Sequence, residues 1–250
     1  RMGLQAIRTL GIPGVQISAG QKGTRPGDLG QSGRRDLLVS ARRLELEITG
    51  VDAWLDPDCL ADSARVDDAV SALLGAIRLA EDLGHVPVST RFPGEDDEGV
   101  IEAVLSAANR VGVGLVDHGV PPRGMPVRAL EARRVSGLII PGETDESVRA
   151  AEPPSGTSID GLGIGIDPPA WLVAGLDCLD AVGKGIAALR LADLSRDGMR
   201  VPIGDPDGRL DGEVLLVTAC TARFDGIPVI DARRWIDPIG MAKVTIDAMG

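Results

Sequence analysis

Two rhythms of apolar and polar positions alternate along this chain. Short apolar runs, the length of buried strands, are separated by longer stretches in which apolar residues recur every three or four positions. Residues 14–18 (GVQIS) form the first short run, and a helical stretch follows over 32–43. A second strand region covers 46–54. Residues 65–83 place Val66, Val70, Leu73, Leu74, Ile77 and Ala80 at helical spacing, and Gly84 provides a stop. A strand over 86–90, a helix over 98–111 and a short strand over 113–116 continue the alternation. Residues 127–134 read as a short helix and 137–140 as an apolar run. Residues 141–158 read as an exposed excursion rich in Pro, Gly and Glu. Strands are expected again at 162–166, 186–191 and 227–230. Helical stretches are expected at 169–176, 177–182 and 213–222, and a loop over 196–211.

Seven or eight strand–helix repeats with no linker require parallel strands joined by right-handed crossovers. An open doubly wound sheet would place a GxGxxG turn after the first strand. The residues there are Ser18-Ala19-Gly20-Gln21-Lys22-Gly23, which do not fit. The expectation is therefore a single (β/α)8 barrel over residues 1–250, irregular or incomplete, with the excursion at 141–158. Such barrels commonly have about 250 residues.

Composition narrows the partners. The net charge is −11, which argues against nucleic acid or an anionic membrane as partner. No run of 18 apolar residues exists, and the opening Arg1-Met2-Gly3-Leu4 lacks the apolar stretch of a signal peptide, so a cytoplasmic setting is expected. Cys59, Cys178 and Cys220 are too far apart for a zinc knuckle and have no basic neighbours, so they read as core residues. Aromatic residues make up only 2% of the chain, leaving little ring surface for stacking on sugars or bases.

In a barrel, functional groups collect where strands end. Four aspartates stand there: Asp117 in GLVD, Asp167 in IGID, Asp193 in LRLAD and Asp231 in PVID. Converging carboxylates suit a divalent metal or acid–base chemistry, whereas a lone Asp after a strand is commonly a helix cap. His118 is a ligand or base, or a solvated loop residue. His85 falls at the opposite barrel end. Arg190, inside a strand, needs an anionic partner or must snorkel outward. The glycines of Gly161-Leu162-Gly163-Ile164-Gly165 alternate strictly, so they share one strand face and point to close packing rather than to a phosphate loop.

The ordered segments LGIPGVQI (10–17), LGQSGRRD (29–36), AEDLG (80–84), LGIGIDP (162–168), Gly175, LRLAD (189–193), VPIG (201–204) and FDGIPVID (224–231) resemble the xylose isomerase-like superfamily of sugar phosphate isomerases and epimerases. No single motif among them is specific; their order carries the likeness. The resemblance implies a divalent metal (Mn, Mg, Co or Zn) held by Glu, Asp, His and Glu at different strand ends. Asp117 stands at the first Glu position, Asp167 keeps the Asp, Arg190 replaces the His, and Asp231 stands at the last Glu position. The trailing Asp is kept as Asp193, and the turn Pro168-Pro169-Ala170-Trp171 has no histidine. On this pattern Asp117 and Asp231 are the acid–base pair and Asp167 the metal ligand. Arg190, Asp193 and His118 contact substrate.

The departures matter. Shortening Glu to Asp withdraws a carboxylate by about 1.5 Å, against metal–oxygen distances of about 2.0–2.6 Å. Arginine has no free lone pair and cannot ligate. The expectation is a degraded metal site in which Arg190 pairs with Asp167 or Asp231. Two functions follow for a small sugar or sugar phosphate. One is an isomerase or epimerase that moves a proton next to a carbonyl. The other is an inactive, metal-free carbohydrate-binding or regulatory relative. An abasic-site endonuclease would need several histidines and a basic face, and the chain has two histidines.

Overall fold

A computed structural model describes residues 2–93, 98–120, 162–182 and 186–249. The expected helix at 127–134, the apolar run at 137–140 and the excursion at 141–158 lie outside the described residues. The strands are β1 (Gly14–Ser18), β2 (Glu47–Asp52), β3 (Val88–Thr90), β4 (Leu115–Asp117), β5 (Leu162–Ile166), β6 (Ala188–Leu191), β7 (Asp193–Leu194), β8 (Arg200–Val201) and β9 (Val229–Ile230). Seven of them form one parallel sheet in the order β1-β2-β3-β4-β5-β6-β9. The sheet curls into a nearly closed barrel with helices outside. Among the described residues, no ladder joins β9 back to β1. An apolar cavity of about 650 Å³ lies along that seam, lined in part by Ile7, Val15, Leu191, Val229 and Ile246.

The helical periodicity translates into packing. The helix Val66–Asp82 buries Ala69, Leu73, Ala76, Ile77, Leu79 and Ala80. Val66, Val70 and Leu74 are only half-buried, and the last two pack against the edge of the apolar core. Asp67 and Asp68 occupy its first turn, where negative charge meets the positive end of the helix dipole. Gly84 ends it at φ +110°, a conformation a Cβ would strain.

The first half of the barrel shares one apolar cluster that includes Ile17, Val51, Leu73, Val88, Val104 and Leu115. A second cluster lies behind β5 and β6, with Ile166, Trp171, Leu189, Ile203 and Leu215. The two described glycines of the alternating stretch, Gly163 and Gly165, are closely packed. A Cβ on Gly163 would meet the Ala187 Cβ at 2.6 Å, and one on Gly165 would overlap the His118 ring.

Two expectations need correction. The stretch 196–211 is not all loop: β8 pairs antiparallel with β7, setting Leu194 opposite Arg200. Nor are all the cysteines core residues. Cys178 is buried, and burial pushes its thiol up to about 12, but Cys59 is half-buried and Cys220 exposed. The helices Met2–Thr9 and Pro238–Ala248 lie outside the periodic reading. Among the described residues, no helix is long and apolar enough to cross a membrane.

Candidate functional site

The four strand-end aspartates divide into two kinds. Asp117 turns toward main chain: its Oδ1 accepts from the N–H groups of Phe92 at 3.0 Å and Gly119 at 2.8 Å. Asp193 does the same. Its Oδ1 accepts from Leu194 N–H at 2.6 Å and its Oδ2 from Leu210 N–H at 2.9 Å. Burial raises the Asp193 carboxyl above its ordinary range, against the lowering effect of those backbone donors. The bond from Leu210 ties the loop after β8 to the start of β7.

Asp167 and Asp231 meet guanidinium groups. Asp167 precedes the helix Pro168–Val173 but makes no side-chain cap to it. Arg200 grips Asp167 with both terminal nitrogens, Nη2 to Oδ1 at 2.6 Å and Nη1 to Oδ2 at 3.2 Å. The same Nη2 donates to Asp231 Oδ2 at 2.8 Å, so one guanidinium bridges two carboxylates. Arg190 donates to Asp231 Oδ2 at 3.1 Å and to Asp52 Oδ1 at 2.6 Å. Arg233 donates its Nε to both Asp231 oxygens, at 2.7 and 2.9 Å, and its Nη2 makes a further short contact with Oδ2. Three arginines thus converge on one carboxylate oxygen. Burial by itself would raise the Asp231 carboxyl. The hydrogen bond from Arg233 and the charges of Arg190, Arg200 and Arg233 override it and hold Asp231 far below the usual carboxylate range. A carboxylate so stabilised is a weak proton acceptor.

Trp54, just past β2, organises the cations. The guanidinium of Arg233 lies 3.5 Å from the ring centroid, that of Arg190 at 4.7 Å and that of Arg91 at 5.5 Å. All three are within cation–π reach. The His118 ring tilts against the same indole, with centroids 5.7 Å apart. His118 is buried, and neither ring nitrogen has a hydrogen-bond partner among the described residues. Burial, then the charges of Arg190 and Arg233, push its pKa well below the ordinary histidine value, so it is neutral at pH 7. His85 stands apart, its Nδ1 2.8 Å from the Val111 carbonyl oxygen.

Above this network opens a cavity of about 620 Å³, lined by Trp54, Arg91, Asp167, Arg200, Arg233 and Arg234 together with apolar residues. The structure therefore brings Asp167, Arg190 and Asp231 together and places His118 beneath Trp54. The expected pairing of Arg190 with Asp231 is present. Asp117 and Asp193 are engaged with main chain. Sequence reasoning missed Asp52, Trp54, Arg200 and Arg233. Asp52 had a signal: TGVD ends β2 as GLVD ends β4, but a strand drawn through residue 54 concealed it. Arg200 had none, since nothing in the sequence of 196–211 shows that a hairpin folds it over two carboxylates.

These side chains do not fit a divalent metal. Among the described residues, no three His, Cys, Asp or Glu side chains gather to hold one. The two carboxylates that could share an ion share Arg200 instead, and a guanidinium repels a dication.

No protein-family model and no curated protein matches the chain. Solved structures do. A xylose isomerase domain protein from Planctomyces limnophilus is 14% identical, with 98% of this chain and 89% of that one covered at a TM-score of 0.65. An L-ribulose 3-epimerase is 15% identical, with 99% and 88% covered at a TM-score of 0.66. A xylose isomerase-like TIM barrel protein from Mycobacterium smegmatis, in complex with magnesium, is 13% identical, with 100% and 89% covered at a TM-score of 0.60. At these identities the likeness is one of fold: this chain folds as a TIM barrel like those of the three structures.

Proposed function

We propose that this barrel binds a small carbohydrate at its mouth without a divalent metal. The observation that carries the reading is the bridging of Asp167 and Asp231 by Arg200, reinforced on Asp231 by Arg190 and Arg233. Positive charge that a metal would supply is supplied by fixed guanidinium groups. The carbohydrate half of the reading draws on the fold, whose similar structures include an L-ribulose 3-epimerase. A site of this kind suits binding better than proton abstraction, because Asp231 is held ionised and poorly basic and His118 is buried, with its pKa lowered by that burial.

The likeness to an epimerase also supports a second reading, an isomerase or epimerase acting next to a carbonyl, with Asp117 and Asp231 as the acid–base pair and Asp167 toward a metal. One experiment separates the two. The protein is incubated in D₂O with a panel of aldoses, ketoses and their phosphates, with EDTA and then with Mn²⁺, while NMR follows both binding and deuterium uptake next to the carbonyl. Saturable binding in EDTA without deuterium uptake supports the metal-free binder. Deuterium uptake that requires Mn²⁺ overturns it in favour of the isomerase.

A further inference from the structure

Counting charge at the mouth exposes an imbalance. The cavity is lined by four arginines, Arg91, Arg200, Arg233 and Arg234, and by one aspartate, Asp167. Arg200 and Arg233 are matched by Asp167 and Asp231, and Arg190 below them by Asp231 and Asp52. No carboxylate among the described residues pairs with Arg91 or Arg234. The cavity is thus locally positive in a chain whose net charge is −11.

We infer that the mouth cavity receives a small oxyanion, a phosphate or carboxylate borne by the bound molecule, and that Arg91 and Arg234 are the residues that take it. This rests on the binding reading above and adds its chemical class. Three observations converge on it. Arg91 lines the cavity, and its Nε is buried without a hydrogen-bond partner among the described residues. A buried donor on a charged group without an acceptor is costly, and an oxyanion would provide one. The guanidinium is also held in place, since Trp54 carries it alongside Arg190 and Arg233. Three cations around one indole repel one another, and Asp52 and Asp231 offset only the two beneath. An anion beside Arg91 would relieve the remaining repulsion. Finally, Arg234 is exposed and sits at φ +65°, a left-handed conformation unusual for a residue with a Cβ, which presents it at the cavity rim beside the buried Arg233.

The test is calorimetric titration of the full chain in EDTA at low salt. Inorganic phosphate probes the anion site alone and glucose probes the carbohydrate reading alone. Glucose 6-phosphate and gluconate distinguish an ester phosphate from a carboxylate as the source. The expected result is saturable phosphate binding that weakens as salt rises and falls about tenfold in Arg91→Gln, with a smaller loss in Arg234→Gln. Binding of phosphate without glucose keeps the anion site and removes the carbohydrate reading. Binding of glucose that neither phosphate ester nor carboxylate improves overturns the anion site and keeps the carbohydrate reading. Phosphate binding unchanged in both variants overturns the assignment to these arginines. Circular dichroism reports whether Arg91→Gln folds. Arg234→Gln, at an exposed position, carries the test if it does not.

Discussion

Two cavities of nearly equal size open on opposite chemistry in this barrel. The seam cavity, about 650 Å³ between β1 and β9, is walled almost wholly by aliphatic side chains. The mouth cavity, about 620 Å³, is walled by arginines over a bed of aspartates. The seam follows from unfinished closure: among the described residues no strand lies between β1 and β9, and the flanking helices leave apolar surface facing the gap. The mouth follows from strand alternation, which turns every second residue of β2, β5, β6 and β9 inward and ends with Asp52, Asp167, Arg190 and Asp231 together. Burial without charge holds the first. In the second, charge is tolerated because Asp52, Asp167 and Asp231 pair with Arg190, Arg200 and Arg233.

The largest expected effect breaks the mouth at its centre. Asp231→Ala leaves Arg190, Arg200 and Arg233 crowded around a missing anion, and should cost about 3–5 kcal/mol of stability in urea unfolding. Asp231→Asn keeps the shape but not the charge and should fall between it and the wild type. At the seam, Leu191→Ala removes a buried side chain that joins the cavity wall to the second apolar cluster. It should cost about 2–4 kcal/mol and leave the salt dependence of stability unchanged. A loss that depends on salt would mean that the two cavities are coupled. Gly165→Ala forces a methyl into the His118 ring and should cost about 1–3 kcal/mol, with a change in Trp fluorescence because that ring packs on Trp54.

Acidity gives a smaller but more diagnostic effect. The pKa of His118 is lowered by folding, so below about pH 6.5 the unfolded chain binds a proton that the folded one does not. Stability should therefore fall as pH drops below that point, by up to about 1.4 kcal/mol per pH unit. His118→Gln should flatten that slope relative to the wild type. Asp231 adds a second decline. Its folded pKa is depressed, so its contribution is complete above about pH 4 and is lost as pH falls further. Asp231→Asn should remove that decline and keep the first.

Much of this was legible in the chain. The strands at 14–18 and 162–166 fall where the short apolar runs place them. Arg190 in LRLAD announced an internal ion pair, because a cation inside a buried strand has few other ways to exist. The fate of each aspartate was not legible. GLVD and IGID look alike, yet Asp117 bonds to backbone N–H groups of Phe92 and Gly119, while Asp167 bonds to Arg200. What separates them is which distant side chain reaches the strand end. Arg200 arrives on a hairpin whose two strands are too short to have a periodicity to read.

The central claim is that arginine, not a divalent metal, provides the positive charge at this mouth. The most direct measurement is metal content by mass spectrometry after loading with Mn²⁺, Mg²⁺, Co²⁺ and Zn²⁺ and exhaustive dialysis. The account predicts no ion retained at stoichiometric level with any of the four. Retention of about one ion per chain, lost in Asp167→Ala, would contradict it.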